Sequence, residues 1–227
     1  MSSGRDPSGK TFVGFGFGPI QSGLFLYEAF TSGHFTRFVV AEIDEELVRA
    51  VRGGGGRYRV NIARRDRIDC VEVSGIEIHN PRDPSGRNAI LDAVRDSDEM
   101  ATCLPSIDLY DAGAETSAAR MIADGLARRS APLPTILYAA ENHNRAAEIL
   151  RDAVGRHARP DRLESVQTLN TVIGKMSGVI SDPDTIERMR LETIAPGVPR
   201  AVLVEEFNRI LISRVSLPGY RRGIDVF

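Results

Sequence analysis

The stretch Phe12-Val13-Gly14-Phe15-Gly16-Phe17-Gly18-Pro19-Ile20-Gln21-Ser22-Gly23 decides how this sequence is read. Residues 11–15 form a short apolar run of strand character, and residues 19–31 can be helical. Pro19 suits a first helical turn, where its missing N–H has no intrahelical partner to lose, and Gly33 stops the helix. Between strand and helix, Gly16 and Gly18 let the main chain turn tightly and approach a bound anion. There the free N–H groups and the positive end of the helix dipole meet the charge of a diphosphate. In the G-x-G-x-x-G spacing the third glycine would fall at Gln21, with Gly23 two residues further on. The glutamine points to a different approach of helix to strand.

Outward from this turn, residues 38–43 are again apolar and β-branched, which makes a strand-helix-strand unit and asks for a parallel sheet. Glu42 stands near the end of that second strand, about 26 positions past Gly16, close to the spacing expected for an acid that accepts hydrogen bonds from ribose hydroxyls. A carboxylate there favours NAD over NADP, because it repels a 2′-phosphate. The pattern Gly14-x-Gly16-x-Gly18 with a strand-end acid also suits S-adenosylmethionine in a methyltransferase. Phe12-Val13, however, occupy the place where such sites carry an acid before the first glycine.

The rest of the chain continues the alternation. Asp44 is a helix N-cap for residues 45–52, and the glycines 53–56 form a loop. Residues 58–62, 68–73 and 76–79 read as strands, with a turn at Ser74-Gly75. Residues 82–86 read as loop, 88–95 as helix, 100–104 as strand and 110–129 as helix, broken by Pro132 and Pro134. A strand over 135–140 and a helix over 144–154 follow. Beyond Gly155 the expectations are strands at 166–176 and 200–204 and helices at 187–191 and 206–212. The fold class expected is α/β: a Rossmann-like, doubly wound, mostly parallel sheet with an inserted β-hairpin region. Its divisions are a flexible leader (1–10), an NAD-binding Rossmann domain (11–160) and an extension completing it (161–227).

Bulk properties narrow the function classes. A chain of 227 residues, 42% apolar, buries a real core, and a net charge of −2 without segregated blocks argues against nucleic acid. No apolar run approaches the ~18 residues needed to span a bilayer, and the N-terminus lacks a signal-peptide apolar region. Cys70 and Cys103 are isolated, without metal-ligand spacing, which suits free thiols in a reducing cytoplasm and no bound metal.

With these residues in place, the sequence resembles the mannitol dehydrogenase family, which includes mannitol-1-phosphate 5-dehydrogenase and the long-chain polyol dehydrogenases. Residues 16–23 look like that family's glycine turn, and Ala41-Glu42-Ile43-Asp44 like the segment closing its second strand. Tyr58-Arg59-Val60 and Val73-Ser74-Gly75-Ile76 are similar to its two inserted strands. Ala139-Ala140-Glu141-Asn142 resembles its strand-end acid-Asn pair beside nicotinamide and substrate, and residues 170–176 resemble its Asn-Thr/Ser-x-Val-Asp-Arg-Ile segment. There Gly174 replaces the family's Asp and Lys175 its Arg. Residues 204–207 look like the stretch closing the family's first domain. The resemblance implies a further helical domain carrying a catalytic lysine, expected here to be truncated, on a separate chain or dispensed with.

The site expected from these readings lies beyond the carboxyl ends of the strands. Gly16, Phe17, Gly18, Pro19, Ile20 and Glu42 are expected to hold NAD, with Cys103 and Leu104 along the adenosine-to-nicotinamide path and Asn142 at its end. Asn142 is the catalytic candidate, since its amide can donate to an alkoxide, although it cannot take a proton. Glu141, His143, Asn170 and Lys175 are the substrate-contact candidates, the substrate being a polyol or polyol phosphate. His143 titrates in the right range for a base but equally suits a cap, and Lys175 equally suits a surface position. The competing reading is a non-catalytic dinucleotide-binding or partner-binding module.

Overall fold

The computed structural model describes residues 9–206 and 210–225, so residues 1–8 of the expected leader and Phe207 lie outside the described residues. In chain order the elements begin with β1 (Lys10–Phe15), a π turn (Gln21–Phe25) running into α1 (Leu26–Ser32), β2 (Phe35–Ala41) and α2 (Glu45–Gly53). Then come β3 (Tyr58–Ala63), β4 (Ile68–Val73), β5 (Ile76–His79), α3 (Pro84–Asp96) and β6 (Glu99–Thr102). Two 3-10 turns (Ile107–Leu109 and Ala114–Thr116) precede α4 (Ala118–Ala127), β7 (Thr135–Ala139), α5 (Ala146–Gly155) and α6 (Pro160–Leu163). The remainder is β8 (Val166–Ile173), β9 (Ser177–Ile180), α7 (Pro183–Met189), β10 (Ala201–Glu205) and β11 (Ile210–Ile212).

The main sheet has the order β11-β8-β7-β6-β1-β2-β5, parallel throughout except where β11 pairs with β8. The chain builds outward from β1 through β2 to β5, then returns to β1 and builds the other way through β6, β7 and β8. This is the doubly wound Rossmann-like topology, and the reversal leaves a crevice at the carboxyl ends of β1 and β6. Both faces of β1 are covered, which explains its unbroken apolar run: Phe12 joins the core under α1, while Val13 and Phe15 join the core under α3, α4 and α5.

A second sheet, β4-β3-β10-β9, contains the expected hairpin, with Tyr58 opposite Val73 in antiparallel β3 and β4. Ser74-Gly75 does not close a hairpin. It hands the chain from this small sheet to β5 in the main one. Val60, Val73, Val202 and Val204 of the small sheet share a core with Leu24 and Phe25, and the Tyr58 hydroxyl donates to the Ser22 carbonyl at 2.8 Å.

The structure departs from the sequence reading at several places. Lys10 starts β1 instead of ending a leader. Pro84 is not a loop marker but the first residue of α3, capped by Asp83, whose carboxylate accepts from the Ser85 and Gly86 amides. The helix expected over 110–129 forms only as α4. Gly113 (φ 102°) and Ala114 (φ 50°) turn left-handed, and Ser117 then caps a new helix. Residues 166–176 end as strand at Ile173, and residues 210–212, expected to be helical, form β11 against β8. Asp44 does cap α2, accepting from the Glu46 and Leu47 amides at 3.1 Å. Among the described residues no helix is long and apolar enough to cross a membrane.

Candidate functional site

The turn after β1 is built from glycines with separate tasks. Gly16 is left-handed (φ 85°), its N–H donates to Ala41 at 2.9 Å, and a β-carbon there would sit 2.8 Å from the Cys103 carbonyl oxygen. Backbone conformation and the adjacent strand end both demand glycine. Gly18 has an ordinary φ, and a β-carbon added to it meets nothing within 4 Å, because it faces the open cleft. Gln21, standing where the third glycine of the pattern would be, is fully buried over Gly14, whose β-carbon would lie 2.4 Å from Nε2. The space for close helix-strand packing is thus supplied from the strand, and the helix widens to a π turn at the same place. Among the described residues neither polar atom of the Gln21 amide has a hydrogen-bond partner. Gly23 serves the small sheet: its β-carbon would strike Val204 at 2.3 Å.

The turn forms one wall of a cleft of about 500 Å³ at the carboxyl ends of the strands. Gly16, Phe17, Gly18, Pro19, Ile20 and Glu42 line it, as do Cys103 and Leu104, so the structure brings eight of the nine expected cofactor residues together. Glu42 Oε1 accepts from the amides of Ile43 (2.7 Å) and Asp44 (2.8 Å), which fixes the side chain against the start of α2. Asp44 in turn accepts from the Arg200 guanidinium. Burial alone would raise the Asp44 carboxyl, but the bond from Arg200, with those from the Leu47 and Glu46 amides, holds it below its ordinary value.

The 103–118 segment supplies a further, mostly apolar wall, of which the sequence reading missed Leu109, Ala112, Thr116 and, from α4, Met121. Ile43 and Pro81 line the cleft too, with Ile43 54% exposed and Leu109 40% exposed. Taking residues 110–129 as one helix hid this wall. The turn formers Ser106, Asp108 and Gly113 were the available signal.

Glu141 shapes that wall without lining the cleft. Its carboxylate is 5% exposed and accepts from Thr102 Oγ1 (2.9 Å), the Leu104 amide (2.8 Å) and the Tyr110 hydroxyl. Burial raises its pKa, outweighing the hydrogen bonds from Tyr110, Leu104 and Thr102 that lower it. The bonds run to the last residue of β6 and to the loop after it, so this expected substrate residue is occupied in holding the loop against the strand end. Burial, with the nearby Glu141 charge, also pushes the Cys103 thiol well above its ordinary value.

The remaining expected residues fall outside the cleft lining. Asn142 and His143 are exposed in the turn between β7 and α5, and His143 Nδ1 accepts from the Arg145 amide at 3.1 Å, within that turn. Asn170 spends its amide on α5, accepting from Ala147 (2.8 Å) and donating to Glu148 (2.9 Å). Lys175 is neither at the cleft nor on the surface. It is 6% exposed, with Nζ 5.9 Å from the Tyr27 ring centre, and it borders a separate cavity with Glu28 and Arg64. Burial lowers its pKa against the raising influence of Glu28 and Glu205.

No protein-family model matches the sequence, and no curated protein matches it. Among solved structures, the fold is similar to D-sorbitol dehydrogenase in substrate-free form, with a TM-score of 0.72 and 10% identity over 93% of this chain and 52% of that one. It is also similar to octopine dehydrogenase with NADH and agmatine, with a TM-score of 0.54 and 10% identity over 89% of this chain and 41% of that one. The same enzyme described with NADH and pyruvate gives 0.54 at 11% identity, over 90% and 44%. The chain spans about half the length of these structures. At such identities the likeness establishes the fold they share.

Proposed function

We propose that this chain is the NAD-binding part of an oxidoreductase that moves a hydride between NAD and a sugar alcohol or its phosphate. The observation that carries the reading is the face of Gly18 left bare toward the cleft, beside a turn that only Gly16 can make and within the same wall as Glu42. A diphosphate needs main chain that it can touch, and a ribose needs a fixed carboxylate. When bound, NAD supplies the hydride acceptor. The chain's part is to seat the diphosphate on the turn, to grip the adenosine ribose with Glu42, and to enclose the adenine between Ile43 and the loop held by Glu141. The NADH in the octopine dehydrogenase structures supports this choice of cofactor.

The polyol assignment rests on the resemblance of Ala139-Ala140-Glu141-Asn142 and of residues 170–176 to the mannitol dehydrogenase family. In this reading Asn142 donates to the substrate oxygen at the nicotinamide end, in the cytoplasm. Among the described residues lining the cleft only Glu42 and Cys103 are titratable, and the Cys103 thiol is raised. Neither suits the alcohol's proton, so we place the proton acceptor on a helical domain or chain that closes over the cleft. The same lack of a base favours a second reading, a dinucleotide-binding module without turnover.

Thermal shifts with NADH, NADPH and S-adenosylmethionine test the proposal. NADH at 100 times its Kd should stabilise the chain by ~2.7 kcal/mol. Glu42→Ala should weaken NADH by about 10- to 100-fold, the scale of hydrogen bonds to a charged group, and narrow the preference over NADPH. No response to millimolar NADH refutes the proposal, and a response to S-adenosylmethionine alone moves the chain to methyl transfer. Nicotinamide absorbance with mannitol, mannitol-1-phosphate or fructose-6-phosphate then separates an enzyme from a binding module.

A further inference from the structure

A second cavity, of about 180 Å³, adjoins the cleft and shares Phe17, Gly18 and Glu42 with it. It continues to Asp44, Ile194 and Arg200, the last brought from the small sheet's side of the molecule. Arg200 Nη2 donates to Asp44 Oδ2, and the two side chains are 32% and 34% exposed, so the pair stands at the cavity's rim and not in the core. Asp44 divides its oxygens: Oδ1 caps α2 through the Glu46 and Leu47 amides, while Oδ2 holds the guanidinium. Glu42 lies two residues earlier, with Oε1 taken by the Ile43 and Asp44 amides.

The charges therefore sum to one cation against two carboxylates beside the place where Glu42 would grip a ribose. A guanidinium is the side chain best matched to a phosphate, with two parallel donors in a fixed fork. Here its charge is offset by Asp44. We propose that Asp44 keeps Arg200 from serving as a phosphate ligand, so that the site takes adenine dinucleotides without a 2′-phosphate, and that releasing Arg200 turns it toward 2′-phosphorylated ones. This rests on the dinucleotide reading above. It assigns the selectivity to a pair whose members stand far apart in the sequence, in addition to the strand-end acid.

Asp44→Asn is the discriminating variant, because an asparagine oxygen still caps α2 while the charge facing Arg200 is gone. Dissociation constants for NADH and NADPH are measured on wild type, Asp44→Asn and Asp44→Asn/Arg200→Ala. The expected result is a fall of about tenfold in the preference for NADH over NADPH in Asp44→Asn, the scale of one charge-assisted hydrogen bond, and its return when Arg200 is also removed. A preference in Asp44→Asn within about twofold of wild type overturns the proposal, given that tenfold scale. So does a gain in NADPH binding that survives the loss of Arg200. Should Asp44→Asn fail to fold, Arg200→Gln alone decides. It leaves Asp44 unopposed and should widen the preference for NADH, and no change overturns the proposal. Wild type that binds neither dinucleotide removes the dinucleotide reading itself and this inference with it.

Discussion

Gly18→Val separates the cleft from the fold. The residue has an ordinary φ, and a β-carbon on it meets nothing within 4 Å beyond its two chain neighbours, so the position opens onto free space and valine is expected to be tolerated by the fold. Substitutions of that kind change stability by no more than ~0.5 kcal/mol, or about 2 °C in a domain of this size. The same β-carbon, with two methyl groups beyond it, projects into the space assigned to the diphosphate. If it raises the Kd for NADH 100-fold, a ligand concentration that stabilises wild type by ~2.7 kcal/mol stabilises the variant by only ~0.4 kcal/mol. At 2–4 °C per kcal/mol, a ligand-induced shift of roughly 5–11 °C falls to about 1 °C. Differential scanning fluorimetry with and without NADH reads both quantities on one sample. A variant that melts with wild type and still shows the full NADH shift would place the diphosphate elsewhere and remove the basis of the site.

Gly16→Ala should behave differently. A left-handed alanine costs ~1–2 kcal/mol, and its β-carbon at 2.8 Å from the Cys103 carbonyl adds to that, so the unliganded melting temperature itself should fall by several degrees. Gln21→Met removes a buried amide without a partner among the described residues. It should raise the melting temperature by a few degrees, on the scale of ~1 kcal/mol, and a fall would show that the amide is satisfied. Glu141→Gln tests the loop. Because burial raises the Glu141 pKa, the native state holds that proton more tightly than the unfolded chain, and its contribution to stability is lost as pH rises through the raised pKa. Wild type should therefore lose ground to Glu141→Gln as pH climbs above the ordinary carboxylate range. Parallel urea midpoints across that range would contradict the assignment.

That the main sheet is mostly parallel needed little beyond local pattern, whereas its antiparallel edge strand β11 lies where the local pattern suggested helix. The continuous apolar run of β1, the glycine turn and Glu42 two residues before a capping aspartate are statements about neighbours in the chain, and the structure places them as one turn and one cleft wall. Element ends were less legible where one residue type does two jobs. Pro84 reads as a breaker yet opens α3, and residues 110–129 have helical composition but are interrupted at Gly113 and become helix only from Ala118.

By itself the sequence determined the strand-helix alternation as far as α5, the buried two-sided strands and the place of the glycine turn, because each follows from the periodicity and conformational limits of adjacent residues. Only the tertiary structure decided what Gln21, Glu141, Asn170 and Lys175 do: one packs over Gly14, one holds the Tyr110 loop, one caps α5, and one is buried by α1. Their partners stand on other strands and helices. A polar side chain's role is set by whichever donor or charge the fold brings within hydrogen-bond reach, and no local spacing encodes that distance.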